Sequence, residues 1–291
     1  MTPVNRQPRD SDGVVKKAPE TIRVQTPDGL AISAQVWGNP SGPEILFIHG
    51  FSQSYLSWKR QFGSDLAGEF RLVTYDLRGH GGSDKPLTPE SYRSSKLWAD
   101  ELQSVMAAAN LKRPVLVAWS YGGRVVTDYL LTHGAERIAA INFVDATTKV
   151  APDVFGAAMG LQTSMASADL ATSIAATRDF LKSCFEVQPR AEAFEQMLAF
   201  NMLVPPQVRA GMAGRPLDVD EVLKALKIPV LVTHGQEDRV ISTNMAKHTA
   251  NTIPNSNLSI YEGIGHTPFY EAPDRFNAEL AALARAVNSS N

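Results

Sequence analysis

The sequence predicts an α/β fold in which helices cover both faces of a doubly wound, mostly parallel sheet. Short apolar runs of strand length recur along the chain, and most are followed by Gly, Asp or Ser. Segments with helical patterning lie between these runs, and this alternation is typical of parallel sheets covered on both faces. The alternation breaks once, between Ala146 and about Leu226, which indicates an inserted segment of helices.

The first two strands are predicted to form a hairpin. They alternate in polarity over Glu20–Thr26 and Leu30–Trp37, and Pro27-Asp28-Gly29 lies between them. Six further runs are predicted strands: Glu44–Gly50, Phe70–Asp76, Pro114–Ala118, Ile138–Asp145, Pro229–Gly235 and Asn257–Gly263. The most apolar of these runs are typical of strands that are buried on both faces.

Five predicted helices separate or follow these strands: Leu56–Leu66, Ser94–Asn110, Gly122–Thr132, Ser242–Thr252 and Pro273–Val287. We expect residues 20–146 and 227–291 to form the core of the fold. Residues 147–226, with helical patterns over Ala168–Phe185 and Arg190–Leu203, are expected to form a helical cap over the carboxyl ends of the strands. A set of ordinary surface helices is the alternative, but the length and position of the segment favour a cap.

Composition excludes several classes of protein. The 291 residues carry a net charge of −2, with 44% hydrophobic and 20% charged residues, which argues against nucleic acid or an anionic membrane as the main partner. One cysteine, Cys184, allows no intramolecular disulfide. Residues 1–19 are polar, without the apolar core of a signal peptide, and are expected to form a flexible leader. These features predict a cytoplasmic protein, which could be a monomer or a homodimer.

Ser120 is the strongest candidate for a functional residue. The apolar run that starts at Val115 leads directly into it, and a helical segment, Arg124–Thr132, follows. Small residues flank the serine at Ala118, Gly122 and Gly123. This context predicts a nucleophile elbow, a sharp turn that a larger side chain would obstruct. An ordinary strand-to-helix turn is the alternative interpretation.

A nucleophilic serine needs a base, and the base needs an acid that orients it. His266 lies between the last predicted strand and the last helix, in Gly263-Ile-Gly-His-Thr-Pro-Phe269, and is the predicted base. Asp238 follows the strand Pro229–Gly235 and is the predicted acid, with Asp145 as the alternative. The other five histidines are interpreted as structural: His49, His80, His133, His234 and His248.

Negative charge on the substrate oxygen requires hydrogen-bond donors, each worth about 3 kcal/mol of the activation barrier. The backbone amide of Tyr121, directly after the predicted nucleophile, is one expected donor. The amide of Phe51, in the loop after the strand Glu44–Gly50, is the other. Predicted substrate-pocket residues are Ser52, Trp119, Phe155, Met159 and Phe269, although packing is the alternative role for Trp119 and for the cap side chains.

Together these motifs resemble the α/β-hydrolase superfamily, in the group of small serine esterases and cofactor-free haloperoxidase-like hydrolases. The resemblance rests on His49-Gly50-Phe51, Asp76-Leu-Arg-Gly-His-Gly-Gly-Ser83, the Ser120 elbow, Gly235-x-x-Asp238 and Gly265-His266, in this order. It covers about residues 20–288. It implies a serine hydrolase that needs neither metal nor cofactor and forms an acyl-enzyme with an ester or lactone of small to medium, largely apolar structure.

Three alternatives stay open. Perhydrolase or haloperoxidase activity would use the same triad. A carbon–carbon bond hydrolase is disfavoured because members resembling this chain usually have Trp after the catalytic histidine, where Thr267 stands. A non-catalytic small-molecule receptor is the third alternative. Haloalkane dehalogenases and epoxide hydrolases of this fold use an aspartate nucleophile. Ser120 occupies that position here, which disfavours both of these activities.

Overall fold

The computed structural model describes residues 18–289, and its eight strands form one sheet. The strands are β1 Glu20–Gln25, β2 Ala31–Gly38, β3 Glu44–Ile48, β4 Arg71–Tyr75, β5 Val115–Trp119, β6 Ala140–Val144, β7 Val230–Gly235 and β8 Asn257–Tyr261. Their order across the sheet is β1-β2-β4-β3-β5-β6-β7-β8. The pairs β1–β2 and β2–β4 are antiparallel and all other neighbours are parallel, which confirms the predicted mostly parallel α/β sheet.

Thirteen α-helices and three 3₁₀ helices lie within residues 18–289. The α-helices are α1 Lys59–Phe62, α2 Leu66–Glu69, α3 Glu90–Arg93, α4 Ser95–Ala108, α5 Gly122–His133, α6 Leu161–Met165, α7 Leu170–Ser183, α8 Ala191–Met202, α9 Pro206–Met212, α10 Asp220–Lys224, α11 Thr243–Thr252, α12 Pro268–Glu271 and α13 Pro273–Asn288. The 3₁₀ helices are η1 Tyr55–Trp58, η2 Pro152–Val154 and η3 Ala157–Gly160. None of these helices has the length and apolar composition that crossing a membrane requires.

The sheet separates two hydrophobic cores. Strands β5, β6 and β7 are buried at every position, as their largely apolar sequences predict. Along β5, Leu116 and Ala118 belong to the core that includes α4, α5 and α11. Val117 and Trp119 belong to the opposite core, with η1, α1, α2, α12 and α13. Successive side chains of β5 therefore pack into opposite cores, so both faces of the strand are buried.

The single helix predicted over Leu56–Leu66 is wrong. The chain instead forms η1, α1 and α2 in succession. Gly63 ends α1, and the hydroxyl of Ser64 donates to Gln61 O at 2.8 Å. A serine side chain that bonds the backbone of the preceding turn competes with helix continuation, and a glycine next to it adds flexibility at the break.

The segment between β6 and β7 is helical. It contains η2, η3 and α6 to α10, and α7 and α8 match the predicted helices Ala168–Phe185 and Arg190–Leu203 to within two residues at each end. An isolated antiparallel β-bridge between Phe155 and Ile241 joins this segment to the chain after β7. The division into a core and a separate cap at residues 147–226 stays a prediction. The leader predicted for residues 1–19 lies outside the described residues, except for positions 18 and 19.

Candidate active site

Ser120 lies in the turn between β5 and α5, as the elbow interpretation predicts. Its φ is 54°, in the left-handed region that few non-glycine residues occupy. A Cβ at Gly122 would lie 2.6 Å from Ile48 O, and a Cβ at Gly123 would lie 2.8 Å from the Cβ of Ala146. The glycines are therefore required where the turn passes close to its neighbours. Ser120 N–H donates to Val144 O at 3.0 Å, which ties the strained turn to β6.

His266 and Asp238 are hydrogen-bonded to each other. Nδ1 of His266 lies 2.7 Å from Oδ2 of Asp238, and the two side chains are 1% and 0% exposed. The other carboxylate oxygen of Asp238 accepts from Val240 N at 2.7 Å and from Ile241 N at 3.0 Å. Because a carboxylate only accepts, Nδ1 carries the proton and Nε2 is the basic nitrogen.

The charge on Asp238 is stabilised by its surroundings. Burial by itself raises the pKa of Asp238, but the nearby His266, His234 and the amide donors outweigh burial, so the pKa is lowered overall. These surroundings favour the ionised form of Asp238 beside His266.

The loop of His266 is held by its backbone on two sides. Trp119 Nε1 donates to His266 O at 2.8 Å, which connects the loop to the strand of the elbow. His266 N–H donates to Cys184 O at 2.9 Å, which connects it to the end of α7. Among residues 18–289, Ser120 Oγ makes no hydrogen bond, so its contact with His266 stays a prediction. Such bonds often form only when substrate is present.

Asp145, the alternative acid, lies beside this pair. It directly follows β6 and has a φ of 43°. Its Oδ1 accepts from Gly235 N at 2.9 Å. Burial and the negative charge of Asp238 raise the pKa of Asp145 well above its ordinary range. The opposite directions of these two pKa shifts favour Asp238 over Asp145 as the charged group that pairs with His266.

The same residues are the one cluster in the described chain that could hold a metal ion. Candidate ligand atoms of Asp145, Asp238 and His266 lie within 4.8 Å of one another. The hydrogen bond between His266 Nδ1 and Asp238 Oδ2 places a proton where an ion would have to bind. The donor set thus fits a hydrogen-bonded pair of Asp238 and His266 better than a metal centre. The predicted absence of a metal stays a prediction.

The loop after β3 approaches Ser120 closely. A Cβ on Gly50 would lie 2.9 Å from the Cβ of Ser120 and 3.4 Å from its Oγ, so only glycine allows this approach. Within residues 18–289, the amides of Phe51 and Tyr121 donate no backbone or side-chain hydrogen bond. Buried or half-buried amides without an acceptor are uncommon. These are the two amides predicted to bind the substrate oxygen.

Two buried histidines support this loop. His80 Nε2 accepts the N–H of Ser52 at 3.1 Å, and His49 Nε2 accepts the N–H of Leu77 at 3.1 Å. Burial lowers the pKa of both histidines, so both are neutral acceptors. The structural interpretation of His49 and His80 fits these contacts.

Three of the predicted pocket residues are largely committed to packing or to buried bonds. The hydroxyl of Ser52 is buried and accepts from Arg209 Nε at 2.8 Å. Trp119 and Phe269 pack edge to face with ring centroids 4.8 Å apart, in the core that also contains Trp58. Their role as pocket walls stays a prediction.

The other two pocket residues come from the start of the inserted segment. Phe155 lines a cavity of about 690 Å³ together with Leu161, Asp238 and Arg239. Met159 lies next to this wall, in η3, and packs against the main core while partly buried. Ser120 does not line this cavity, and the side chain of Asp238 is itself 0% exposed.

Sequence comparison assigns the chain to a family. The model of the group described as the Alpha/beta hydrolase family matches residues 45–279. The chain belongs to this family. The resemblance inferred from the motifs is therefore confirmed, and the protein is a hydrolase.

Esterases and chloroperoxidases are among the proteins that are similar to this alpha/beta hydrolase. The structure of esterase RhEst1 from Rhodococcus sp. ECU1013 is 34% identical, with a TM-score of 0.86 over 92% of this chain and 99% of RhEst1. The non-heme chloroperoxidase CPO-A1 of Kitasatospora aureofaciens is 28% identical over 83% of this chain and 90% of its own length. The bifunctional esterase/perhydrolase DCH of Acinetobacter calcoaceticus is 26% identical over 90% of this chain and 99% of its own.

Two residues that contact the loop after β3 in this alpha/beta hydrolase were not predicted from the sequence. Phe180 packs against Phe51, with ring centroids 6.5 Å apart. Arg209 bonds Ser52 and is itself buried. Arg209 is the one charged residue in the stretch 203–214. A single charge among uncharged residues could have indicated a buried side chain with hydrogen-bond partners.

Proposed function

We propose that the protein is a serine hydrolase that cleaves carboxylic esters or lactones through an acyl-enzyme. The observation that carries this proposal is the 2.7 Å bond between Asp238 and His266, on the sheet edge that also presents the Ser120 elbow. In this family, acid and base follow the serine in the order seen here. The similarity to esterase RhEst1 supports ester substrates.

Acylation begins when Ser120 Oγ attacks the carbonyl carbon. Nε2 of His266 takes the hydroxyl proton, and Asp238 stabilises the imidazolium that forms. The carbonyl π electrons move to the oxygen, giving a tetrahedral adduct. When this adduct collapses, the bond to the leaving oxygen breaks, and that oxygen receives the proton from His266.

The amides of Phe51 and Tyr121 are proposed to bind the negative oxygen of the adduct. Their N–H groups are without an acceptor within the described chain, so each can donate without breaking a protein hydrogen bond. Donors that are already oriented need no rearrangement during the reaction, and each contributes about 3–4 kcal/mol.

Water completes the cycle. His266 Nε2 accepts a proton from water as the water oxygen bonds to the acyl carbon. The bond from that carbon to Ser120 Oγ then breaks, and the serine recovers its proton from His266. The products are a carboxylic acid and the free enzyme, so no metal or redox cofactor enters the proposed reaction.

The inserted helices are proposed to act as a cap that selects the substrate. Residues 147–226 would cover the carboxyl ends of the strands, and Phe155, Met159 and Leu161 supply apolar surface near the acid. Apolar walls with a few polar groups are typical of small-molecule sites. We therefore propose a small to medium, largely apolar acyl or alkyl group. The cytoplasmic location and the oligomeric state stay predictions.

The nucleophile is tested directly with p-nitrophenyl acetate and a fluorophosphonate probe. Ser120→Ala is expected to lower kcat/KM by at least about 10⁴-fold and to abolish labelling. Ser104→Ala, on α4 with its hydroxyl bonded to Asp100 O, is the matched control and should label and turn over like the parent. Parent-like labelling of Ser120→Ala would refute the proposal.

Perhydrolysis is the second candidate. The similarity to CPO-A1 and to the esterase/perhydrolase DCH favours it. Hydrogen peroxide would replace water as the nucleophile at the acyl-enzyme and release a peracid. Peroxide-dependent bromination in acetate buffer, absent in Ser120→Ala, would support this activity; no bromination above the Ser120→Ala background would reject it.

A further inference from the structure

Arg209, on α9 of the inserted segment, is a buried arginine without an acidic partner. Its side chain is 1% exposed, and it forms no ion pair with a carboxylate in residues 18–289. Arg78 and Arg215 are also buried, but they pair with Glu101 and Asp128. Burial lowers the pKa of Arg209 to about 10, which still leaves it charged at neutral pH. A buried charge needs compensating hydrogen bonds.

Neutral oxygens supply these bonds. Acceptors on helices α6, α7 and α8 of the inserted segment bind the two terminal nitrogens: Met165 O at 2.7 Å, Ser173 Oγ at 3.2 Å, Thr177 Oγ1 at 3.1 Å and Asn201 O at 2.6 Å. The remaining nitrogen, Nε, donates outside the segment to Ser52 Oγ at 2.8 Å. Arg209 therefore connects helices α6, α7 and α8 to the loop after β3.

Ser52 is held at both of its polar ends. Its N–H donates to His80 Nε2 at 3.1 Å, and its hydroxyl accepts from Arg209. Its φ is 61°, a left-handed conformation that persists in a non-glycine residue only when surrounding contacts fix it. Ser52 directly follows Phe51, so the orientation of Ser52 also limits the orientation of the Phe51 amide.

We propose that Arg209 is a positioning residue of the active site: it holds Ser52 Oγ and thereby fixes the loop whose Phe51 amide binds the substrate oxygen. This inference rests on the proposed function, because that function assigns the Phe51 amide its role. Arg209 touches no reacting atom in this account. It transmits the position of the inserted helices to the loop through one hydrogen bond.

The position of this amide matters most in the transition state. The substrate oxygen becomes negative only in the tetrahedral adduct, so a displaced donor lowers kcat more than it raises KM. A displacement of about 1 Å can reduce the rate by about 100-fold. The Ser52–Arg209 bond is the part of the network that reaches the loop.

Four variants separate positioning from general stability. Ser52→Ala removes the acceptor in the loop, and Arg209→Met removes the donor. Ser173→Ala is the matched control, because it removes another acceptor of Arg209 without touching the loop. Arg178→Met, on the exposed side of α7, controls for the loss of one positive charge.

Ser52→Ala is expected to lower kcat for p-nitrophenyl acetate by about 10- to 100-fold with KM changed by less than about 3-fold. Arg209→Met should do the same. The double variant should be no worse than the more impaired single variant, because each single variant already removes the bond between Ser52 and Arg209. The two controls should stay within about 2-fold of the parent. Hydrogen exchange of residues 49–56 should accelerate in Ser52→Ala and Arg209→Met and stay parent-like in Ser173→Ala.

Parent-like kcat and parent-like exchange in Ser52→Ala would overturn the proposal, and so would additive losses in the double variant. Arg209→Met can also weaken the inserted helices, but Ser52→Ala leaves their bonds intact and keeps the test decisive. The exchange measurement needs no substrate. It therefore decides the positioning role even if Ser120→Ala shows that the proposed function is wrong.

Discussion

Asp145 and Asp238 lie at the carboxyl ends of the adjacent strands β6 and β7, with candidate ligand oxygens within 4.8 Å of each other. Their pKa values move in opposite directions, raised at Asp145 by burial and by Asp238, and lowered at Asp238, where His266 and the amide donors outweigh burial. Two buried carboxyl groups at this distance avoid ionising together. These directions predict that a proton shared by the two carboxyl groups lies on Asp145 rather than on Asp238, which bonds His266.

Asparagine at these two positions should have opposite effects on activity. Asp145→Asn keeps the shape of the side chain and offers an amide N–H donor in place of the protonated carboxyl group. The value of kcat/KM should therefore stay within about 3-fold of the parent. Asp238→Asn cannot hold His266 in the tautomer with a basic Nε2 and should lower kcat by about 10⁴-fold. Initial rates with p-nitrophenyl acetate measure both. If Asp145→Asn is as impaired as Asp238→Asn, Asp145 is an ionised member of the triad.

Asp145→Asn should also change how stability depends on pH. Burial and the charge of Asp238 raise the pKa of Asp145 in the folded parent, so the folded protein holds this proton to higher pH than the unfolded chain. The group therefore lowers the free energy of unfolding as pH rises above about 4. Asparagine removes that penalty, which is about 1.4 kcal/mol for each unit between folded and unfolded pKa. We expect the Tm of Asp145→Asn, relative to the parent, to rise between pH 4 and pH 7.

Calorimetry at half-unit steps of pH measures this trend. Asp179→Asn, at an exposed position of α7, is the control for loss of one acidic group. A Tm difference between Asp145→Asn and the parent that is constant from pH 4 to pH 7 would show that folding does not raise the pKa of Asp145.

The sheet and the order of the candidate site residues could be predicted because both have local signals. Most parallel strands are largely apolar runs, and the carboxyl end of each brings the next loop to one edge of the sheet. Ser120, Asp238 and His266 each follow such a strand, and the structure places them on that edge. Gly122 and Gly123 are explained by the close approach of backbone that the elbow requires.

The support of the site could not be predicted, because it depends on contacts between segments far apart in the chain. Arg209 and Ser52 are 157 positions apart, and nothing local to either predicts the bond between them. Trp119 and Phe269 could be named from the sequence, but their packing on the α13 side of the sheet depends on the direction of each side chain. Tertiary packing decided these positions.

Gly50→Ala should reduce activity by moving the loop away from Ser120. The added Cβ would lie 2.9 Å from the Cβ of Ser120, so either the loop or the serine must shift. Because the Phe51 amide shifts with the loop, kcat should fall by about 10- to 100-fold, with a smaller change in KM. Gly68→Ala is the control: no atom lies within 4 Å of its Cβ, and alanine in α2 should not lower the Tm. Equal kcat values for the parent and Gly50→Ala would show that the loop does not need this approach.

Removing metal ions should leave activity unchanged. The atoms of Asp145, Asp238 and His266 that could bind an ion are close enough to do so, but the 2.7 Å hydrogen bond between Asp238 and His266 already satisfies two of them. An ion bound by these residues would have to displace the proton on His266 Nδ1 and would leave His266 unable to act as a base. After dialysis against EDTA and 1,10-phenanthroline, kcat for p-nitrophenyl acetate should equal that of untreated enzyme, and elemental analysis should find far less than one equivalent of zinc, manganese or iron. A zinc hydrolase treated in parallel verifies that the chelators act. Loss of activity that returns when one of these ions is added back would show that the cluster is a metal centre and that the serine mechanism is wrong.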